Sequence, residues 1–254
     1  MSLSLLLRQI LVFAAVIGLW IIGDTLNWFN PDVIPPVADT LNAAIALFGD
    51  PKLPQALWLT LRDALAGVMA AASLAIPLGL IIGIAPKVEI STRVLLDFGR
   101  AFPAIALVPI FILIIGTNHT TKIVMITIAC FFPIIVQTIY GARKIDETMR
   151  DTVSSFQIPP LMQFRRVVFP MALPFIATGL RLSLSISILV AVAAEILTQV
   201  PGLGTQVSLS RTFNQVPEAF VYTIYAGLMG VILTAAWDVI EKRMLAWHHR
   251  EDTL

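Results

Sequence analysis

The feature that most constrains this chain is a series of six apolar stretches with the composition of membrane-spanning helices. A helix needs about 20 mainly apolar residues to cross the hydrocarbon core of a bilayer. Of the 254 residues, 57% are hydrophobic and only 13% are charged. The sequence therefore predicts an all-α, polytopic membrane protein with six transmembrane helices in a single domain, residues 1–254. The predicted spans are 10–23, 59–84, 94–116, 123–140, 174–197 and 220–237.

The basic residues are distributed unevenly over the loops between these spans. If the N-terminus is placed inside, eleven Lys and Arg residues fall on the cytoplasmic side and three on the outer side. Because cytoplasmic loops carry the excess of Lys and Arg, both termini are predicted to be cytoplasmic. Residues 24–58 then form an outer loop and residues 142–173 a cytoplasmic loop. Within the outer loop, 37–48 has helical spacing, which fits an amphipathic surface helix or a packed loop equally well.

The fifth span carries polar residues that are candidates for the translocation pathway. Ser183, Ser187 and Glu195 lie on one slanted stripe, and Arg181 enters the bilayer early in the same span. Glu195 has two interpretations: it lines the pathway, or it bonds to the glycine-rich outer loop "VPGLGTQ". The serines can instead bond to their own helix.

Two further patterns concern how the spans pack. The second span carries small residues at every fourth position, which permits close approach of another helix in the same subunit or in a second copy. In the third span, Asp97 and Arg100 are predicted to pair with each other. The residues of the small stripe are Gly67, Ala71, Ala75, Gly79 and Gly83.

Motifs for an energy source or a catalytic centre are missing from the sequence. It contains no G-x-x-x-x-G-K-[ST] phosphate loop, no H-E-x-x-H motif and no G-x-S-x-G elbow. Its three histidines form no metal constellation, and a net charge of +1 gives no reason to expect nucleic-acid binding. We therefore predict a protein that is not an enzyme, holds no cofactor or metal, and either depends on another protein for energy or is a passive pore.

A polar insert, "SSFQIPPLMQFRRVVFPMALP", interrupts the apolar chain between the fourth and fifth spans. Pro159 disfavours helix at the preceding residue and can open the next helix in its first turn. Two short helices with a rigid corner are predicted, with Pro170 and Pro174 redirecting the chain into the fifth span. The corner has the form of a knob that docks into a partner, although an interfacial helix pair without a partner fits the same residues.

This insert resembles the EAA loop of permease subunits of binding-protein-dependent ABC importers. In that pattern, E-A-A is followed by three residues, a glycine, nine residues and I-x-L-P. Residues 151–153 match the first group and 167–170 the last, at the same spacing. Asp151 matches the acidic position conservatively, whereas Gln157 stands where the family has glycine.

The resemblance covers nearly the whole chain. The segments "IPPVADTLNAAIALF", "GRAFPAIALVPIFILIIG" and "PEAFVYTIYAGLMGVILTAAWDVIEKRM" are similar to permeases of the nitrate/sulfonate/taurine type. The resemblance implies a type I ABC importer (MetI-like) permease fold with a cytoplasmic coupling-helix loop, in the bacterial inner membrane. It implies a homodimer of permeases, two cytoplasmic subunits that bind ATP and Mg, and an extracytoplasmic solute-binding protein.

In such a permease, residues of the insert contact the ATPase. The solutes of this subfamily are small and mostly anionic, including sulfonates, taurine and nitrate, and some are vitamin precursors. Arg165 and Arg166 can alternatively bind anionic lipid head groups. A passive channel or a scaffold subunit is the alternative function. The predicted ATPase-coupling residues are Asp151, Ser155, Gln157, Pro159, Leu161, Phe164, Arg165, Arg166 and Pro170.

Overall fold

The computed structural model describes residues 3–144, 149 and 155–245, and the regular structure in these residues is entirely helical. A 3-10 turn spans Ala104–Leu107, and a π-helical segment spans Phe164–Val168. The helices are α1 Leu3–Thr25, α2 Val37–Phe48, α3 Lys52–Ile84, α4 Pro86–Ala101, α5 Val108–Ile115, α6 His119–Arg143, α7 Pro160–Gln163, α8 Phe169–Thr198, α9 Leu203–Thr212 and α10 Val216–Met244.

Five of the described helices are long and apolar enough to cross a membrane, and there are six if the bent pair α4–α5 counts as one span. Each of the five is longer than the apolar stretch that predicted it. The helices continue past the apolar stretches because polar residues at their ends can reach water or head groups while the backbone stays helical.

The third predicted span, 94–116, is not continuous. Its two halves, α4 and α5, meet at an angle of 81°. Phe102 and Pro103 have extended backbones between them, with ψ of 124° and 106°. A residue before proline is driven out of the helical region, so the chain turns at this point. The predicted span is therefore two helices with a break at Phe102–Pro103 and not one continuous helix.

Helices α3, α6 and α8 form the core of the bundle. The small residues of α3 face α6: a Cβ added to Gly67 would lie 2.5 Å from Ile126, and one added to Gly79 would lie 2.7 Å from Thr138. These pairs advance in the same direction, so α3 and α6 run parallel, and the stripe packs within the same chain. Helix α8 runs antiparallel to α6, with Gly179 against Ile134 and Gly141 against Ala172.

The helix that begins at Pro160 continues through the π segment and α8 to Thr198 as one apolar helix of 39 residues. Pro170 and Pro174 therefore do not redirect the chain, which corrects the prediction of a separate short helix. Pro170 lies at the start of α8, directly after the π segment, where the hydrogen-bond ladder is already altered. Pro174 is accommodated inside the helix.

The remaining helices surround this core. Residues 37–48 form a helix, α2, held by a hydrogen bond of 3.0 Å from Tyr225 Oη on α10 to the Ala44 carbonyl. Helix α1 touches the bundle near Trp20, whose Nε1 donates to the Pro35 carbonyl at 3.1 Å. Most of the apolar surface of α1 is exposed, as expected for a helix that lies in lipid.

Candidate functional site

Residues 155–163, called here the coupling segment, project from one end of the bundle. Pro159 has a ψ of 141°, outside the helical region, and Pro160, rather than the predicted Pro159, occupies the first turn of α7. Phe156 is 75% exposed and Leu161 69% exposed. Exposed apolar side chains on a short, proline-fixed corner form a suitable surface for a partner protein.

The base of the coupling segment is fixed to the bundle. Phe164 is half-buried against a cluster that contains Leu80, Val168 and Ile176. Phe164 is thus an anchor of the segment, whereas Leu161 is available for contact. Ser155, Arg165 and Arg166 are exposed. Asp151, the predicted acidic contact, lies outside the described residues.

Gln157 has a left-handed backbone, with φ of 48°. Side chains with a Cβ adopt this conformation at a cost of about 1–2 kcal/mol, whereas glycine adopts it freely. The family pattern places glycine at this position. The corner therefore keeps the geometry that the glycine would provide, although the residue has changed.

A groove of about 660 Å³ lies beside the break between α4 and α5. Its far wall belongs to α8, through Leu182, Ile186 and Val190, and its lining is mostly apolar. Arg100, at the end of α4, is at its edge and pairs with Asp97 at 3.0 Å, as predicted. A cavity of this size can hold a small organic solute.

At the end of the bundle where α3 and α6 begin, three fully buried charged side chains form an ion network. Lys122 Nζ lies 2.7 Å from Asp63 Oδ2 and 2.7 Å from Glu195 Oε1. His119 Nδ1 lies 2.6 Å from the same Asp63 oxygen, and Arg62 pairs with Asp63 at 2.8 Å. The network joins α3, α6 and α8.

The loop between α8 and α9 closes over this network. The Gly204 amide donates to Glu195 Oε2 at 2.8 Å, and Thr60 Oγ1 donates to Glu195 Oε1 at 2.8 Å. A Cβ added to Gly202 would lie 2.1 Å from Glu195 Oε1, so only glycine fits against the carboxylate. Glu195 thus bonds to the glycine-rich loop, one of its two predicted roles.

The other predicted pathway residues also lie inside the packed core or pair with a neighbour. Ser183 is buried and donates to the Cys130 carbonyl at 3.1 Å, and buried Ser187 donates to the Leu184 carbonyl of its own helix at 2.8 Å. Arg181 pairs with Asp238 on α10 at 2.8 Å. In this conformation Ser183, Ser187, Glu195 and Arg181 do not line the groove.

Lys122 was not among the predicted site residues, because the basic-residue distribution places it in an outer loop. Lys122 lies in the first turn of α6 and has no exposed surface. The signal in the sequence was indirect. Asp63 and Glu195 lie near the outer ends of their predicted spans, and two buried carboxylates need a buried cation to balance them.

Comparison with known families gives one match that covers most of the chain. Residues 75–246 match the family described as binding-protein-dependent transport system inner membrane component. The match includes the coupling segment, the groove and two of the three buried charges of the network.

Individual relatives and a solved structure agree with this match. The chain is 26% identical to the putative aliphatic sulfonates transport permease protein SsuC of Bacillus subtilis, over 96% of this chain and 88% of that protein. It is 25% identical to the taurine transport system permease protein TauC of Escherichia coli, over 92% and 87%. An inward-facing structure of the MetNI methionine ABC transporter has the same fold, with a TM-score of 0.62, 16% identity, and 74% and 94% of the two chains covered.

Proposed function

The chain belongs to the family of binding-protein-dependent transport system inner membrane components, and we propose that two copies of it form the route by which a small anionic solute is imported. It is a permease subunit of an ABC importer, a multi-pass membrane protein that works with ATP-binding and solute-binding partners. We propose three further properties: the number of permease copies, the chemical class of the solute, and the residues that transmit movement from the ATPase.

Relatives named for aliphatic sulfonates and for taurine support a sulfonate as the solute. Both solutes join a short apolar or polar chain to a sulfonate group. The groove between α4, α5, α6 and α8 has a matching character, since its surface is mainly apolar and its volume, about 660 Å³, exceeds that of one such molecule.

The observation that carries the proposal is the unbroken helix from the coupling segment to the buried ion network. Pro160–Thr198 has 39 residues, which is about 58 Å at 1.5 Å per residue. A displacement of its exposed end therefore reaches Leu182, Ile186 and Val190 in the groove wall without crossing a flexible joint.

In the proposed orientation, both termini and the coupling segment face the cytoplasm, where the basic residues are concentrated. ATP and Mg bind to the partner subunits, and closure of these subunits moves the segment. The ion network holds the outer ends of α3, α6 and α8 together, so movement at the inner end tilts the helices and changes access to the groove.

Replacement of Leu161 by Glu tests the docking role of the segment. The variant places a charge where the proposal requires an apolar contact, and we expect loss of ATPase copurification and of uptake. Phe213→Glu is the matched control, because Phe213 is 71% exposed but lies beyond α9, at the opposite end of the bundle. Normal assembly and uptake with Leu161→Glu would contradict the proposed docking.

A further inference from the structure

The groove has few residues that can recognise a charge. Of its eighteen lining residues, all within the described part of the chain, Arg100 alone is charged and Gln137 is the other polar side chain. An anion that enters an apolar cavity loses hydration, which is costly unless a cation or several donors compensate. Any anion in this groove is therefore drawn toward Arg100.

A second cavity of about 340 Å³ adjoins the groove at the same place. Arg100 and Val136 line both cavities, so the second is a continuation of the first. Its lining is much more polar and includes three arginines, Arg93, Arg100 and Arg143. It lies at the end of the bundle where α3 and α6 finish, next to Tyr140 and the last turn of α6.

The three arginines are not equally engaged. Arg143 pairs with Glu89, whose side chain is only 15% exposed. Arg100 pairs with Asp97 within one helix, and both side chains are more than half exposed. Such exposed pairs contribute little energy and are readily exchanged. Arg93 forms no ion pair with any described residue.

We propose that Arg100 and Arg93 form an anion site that receives the sulfonate group of the solute as it leaves the apolar groove. This inference rests on the proposed function and specifies the site within it. Arg100 exchanges its contact with Asp97 for the incoming anion, because a bidentate arginine–oxyanion contact is stronger than an exposed pair within one helix. Arg93, two turns earlier on the same face of α4, is the next cation along the second cavity.

The test is calorimetric binding of butanesulfonate to the purified permease–ATPase complex, without solute-binding protein or nucleotide. Butanesulfonamide, uncharged at pH 7, is the parallel ligand. We expect Arg100→Gln to weaken butanesulfonate binding about tenfold or more and to leave butanesulfonamide unaffected, since a charge-assisted hydrogen bond is lost. Arg100→Lys keeps the charge and recovers part of the affinity.

Two further variants distinguish a specific site from a general basic surface. Asp97→Asn frees Arg100, so we expect tighter binding, by about two- to fivefold. Lys87→Gln removes an exposed cation from the same helix that lines neither cavity, and binding should be unchanged. Equal losses with Lys87→Gln and Arg100→Gln would overturn the site.

Lipid head groups share the anionic chemistry, and a second arm of the experiment separates the two sources. The complex is placed in nanodiscs of phosphatidylcholine alone or with phosphatidylglycerol. If Arg100→Gln alters the retention of phosphatidylglycerol but not butanesulfonate binding, the occupant is a lipid and the solute assignment is wrong. ATP-driven uptake of sulfonates by wild-type proteoliposomes tests the proposed function separately. If uptake occurs but Arg100→Gln does not change butanesulfonate binding, the anion site is wrong and the proposed function stands.

Discussion

At the scale of single residues, Lys122 has the most demanding environment in the described structure. It has no exposed surface and forms ion pairs with Asp63 and Glu195, which lie on two other helices. Removing one partner from a buried ion network leaves the remaining charges without compensation, which is far more costly than losing a surface pair.

We therefore expect Lys122→Met to reduce stability by about 3–5 kcal/mol. Lys52→Met is the control, because Lys52 is an exposed lysine at the start of α3 and should tolerate the change. Thermal unfolding of the detergent-solubilised protein measures both. Similar melting temperatures for the two variants would show that the network does not hold the three helices together.

A second prediction at this scale concerns Gln157, because the backbone of this residue, rather than its side chain, defines the corner of the coupling segment. At φ of 48°, glycine fits without strain, alanine costs about 1–2 kcal/mol and proline cannot adopt the angle. The glutamine already bears the cost that alanine would, so solute uptake should be retained by Gln157→Gly and by Gln157→Ala and lost with Gln157→Pro. If alanine and glycine variants were equally impaired, the glutamine side chain itself would be required.

At the scale of helices, the packing of α3 on α6 depends on residues without side chains. Lipid gives little hydrophobic drive for helix association, so close contact of backbones is the main source of stability. The Cβ of a larger residue at Gly67 would meet Ile126 at 2.5 Å and force the helices apart.

Gly67→Val should therefore destabilise the protein by about 1–3 kcal/mol through overpacking. Gly230→Val on α10 is the matched control, since a Cβ added to Gly230 would meet no atom of a neighbouring element within 4 Å. Chemical denaturation in mild detergent distinguishes the variants. An equal loss for both would mean that helix propensity, not the α3–α6 contact, determines the effect.

Much of this helical arrangement could be predicted from the sequence, for physical reasons that differ between elements. The spans follow from local hydropathy, and the corner at Pro159 follows from the restricted backbone of proline. The burial of Lys122 could not be predicted from its neighbours in sequence, because a charged residue beside an apolar stretch is normally assigned to a loop. Its partner Glu195 lies 73 residues away. The full break at Phe102–Pro103 could not be distinguished from a kink in sequence, because Pro77, Pro133 and Pro174 also lie in apolar stretches and remain inside helices.

At the scale of the whole molecule, one long helix connects the coupling segment to the buried ion network. The coupling segment is exposed, the helix Pro160–Thr198 passes the groove, and the ion network holds the far end. This arrangement suits the proposed coupling to a separate ATPase. Sequence patterning predicted the exposed segment, and only the structure revealed the continuous helix and its fixed end.

Because Cys130 is the single cysteine and is buried, the chain offers a direct test of this arrangement. In a Cys130→Ala background, Leu161→Cys is labelled with a membrane-impermeant maleimide in inside-out and right-side-out vesicles, with Phe213→Cys as the opposite-face control. We predict labelling of position 161 in inside-out vesicles only, and its protection by added ATPase subunit. Labelling of position 161 from the outer face, or undiminished labelling in the presence of the bound ATPase, would contradict the account.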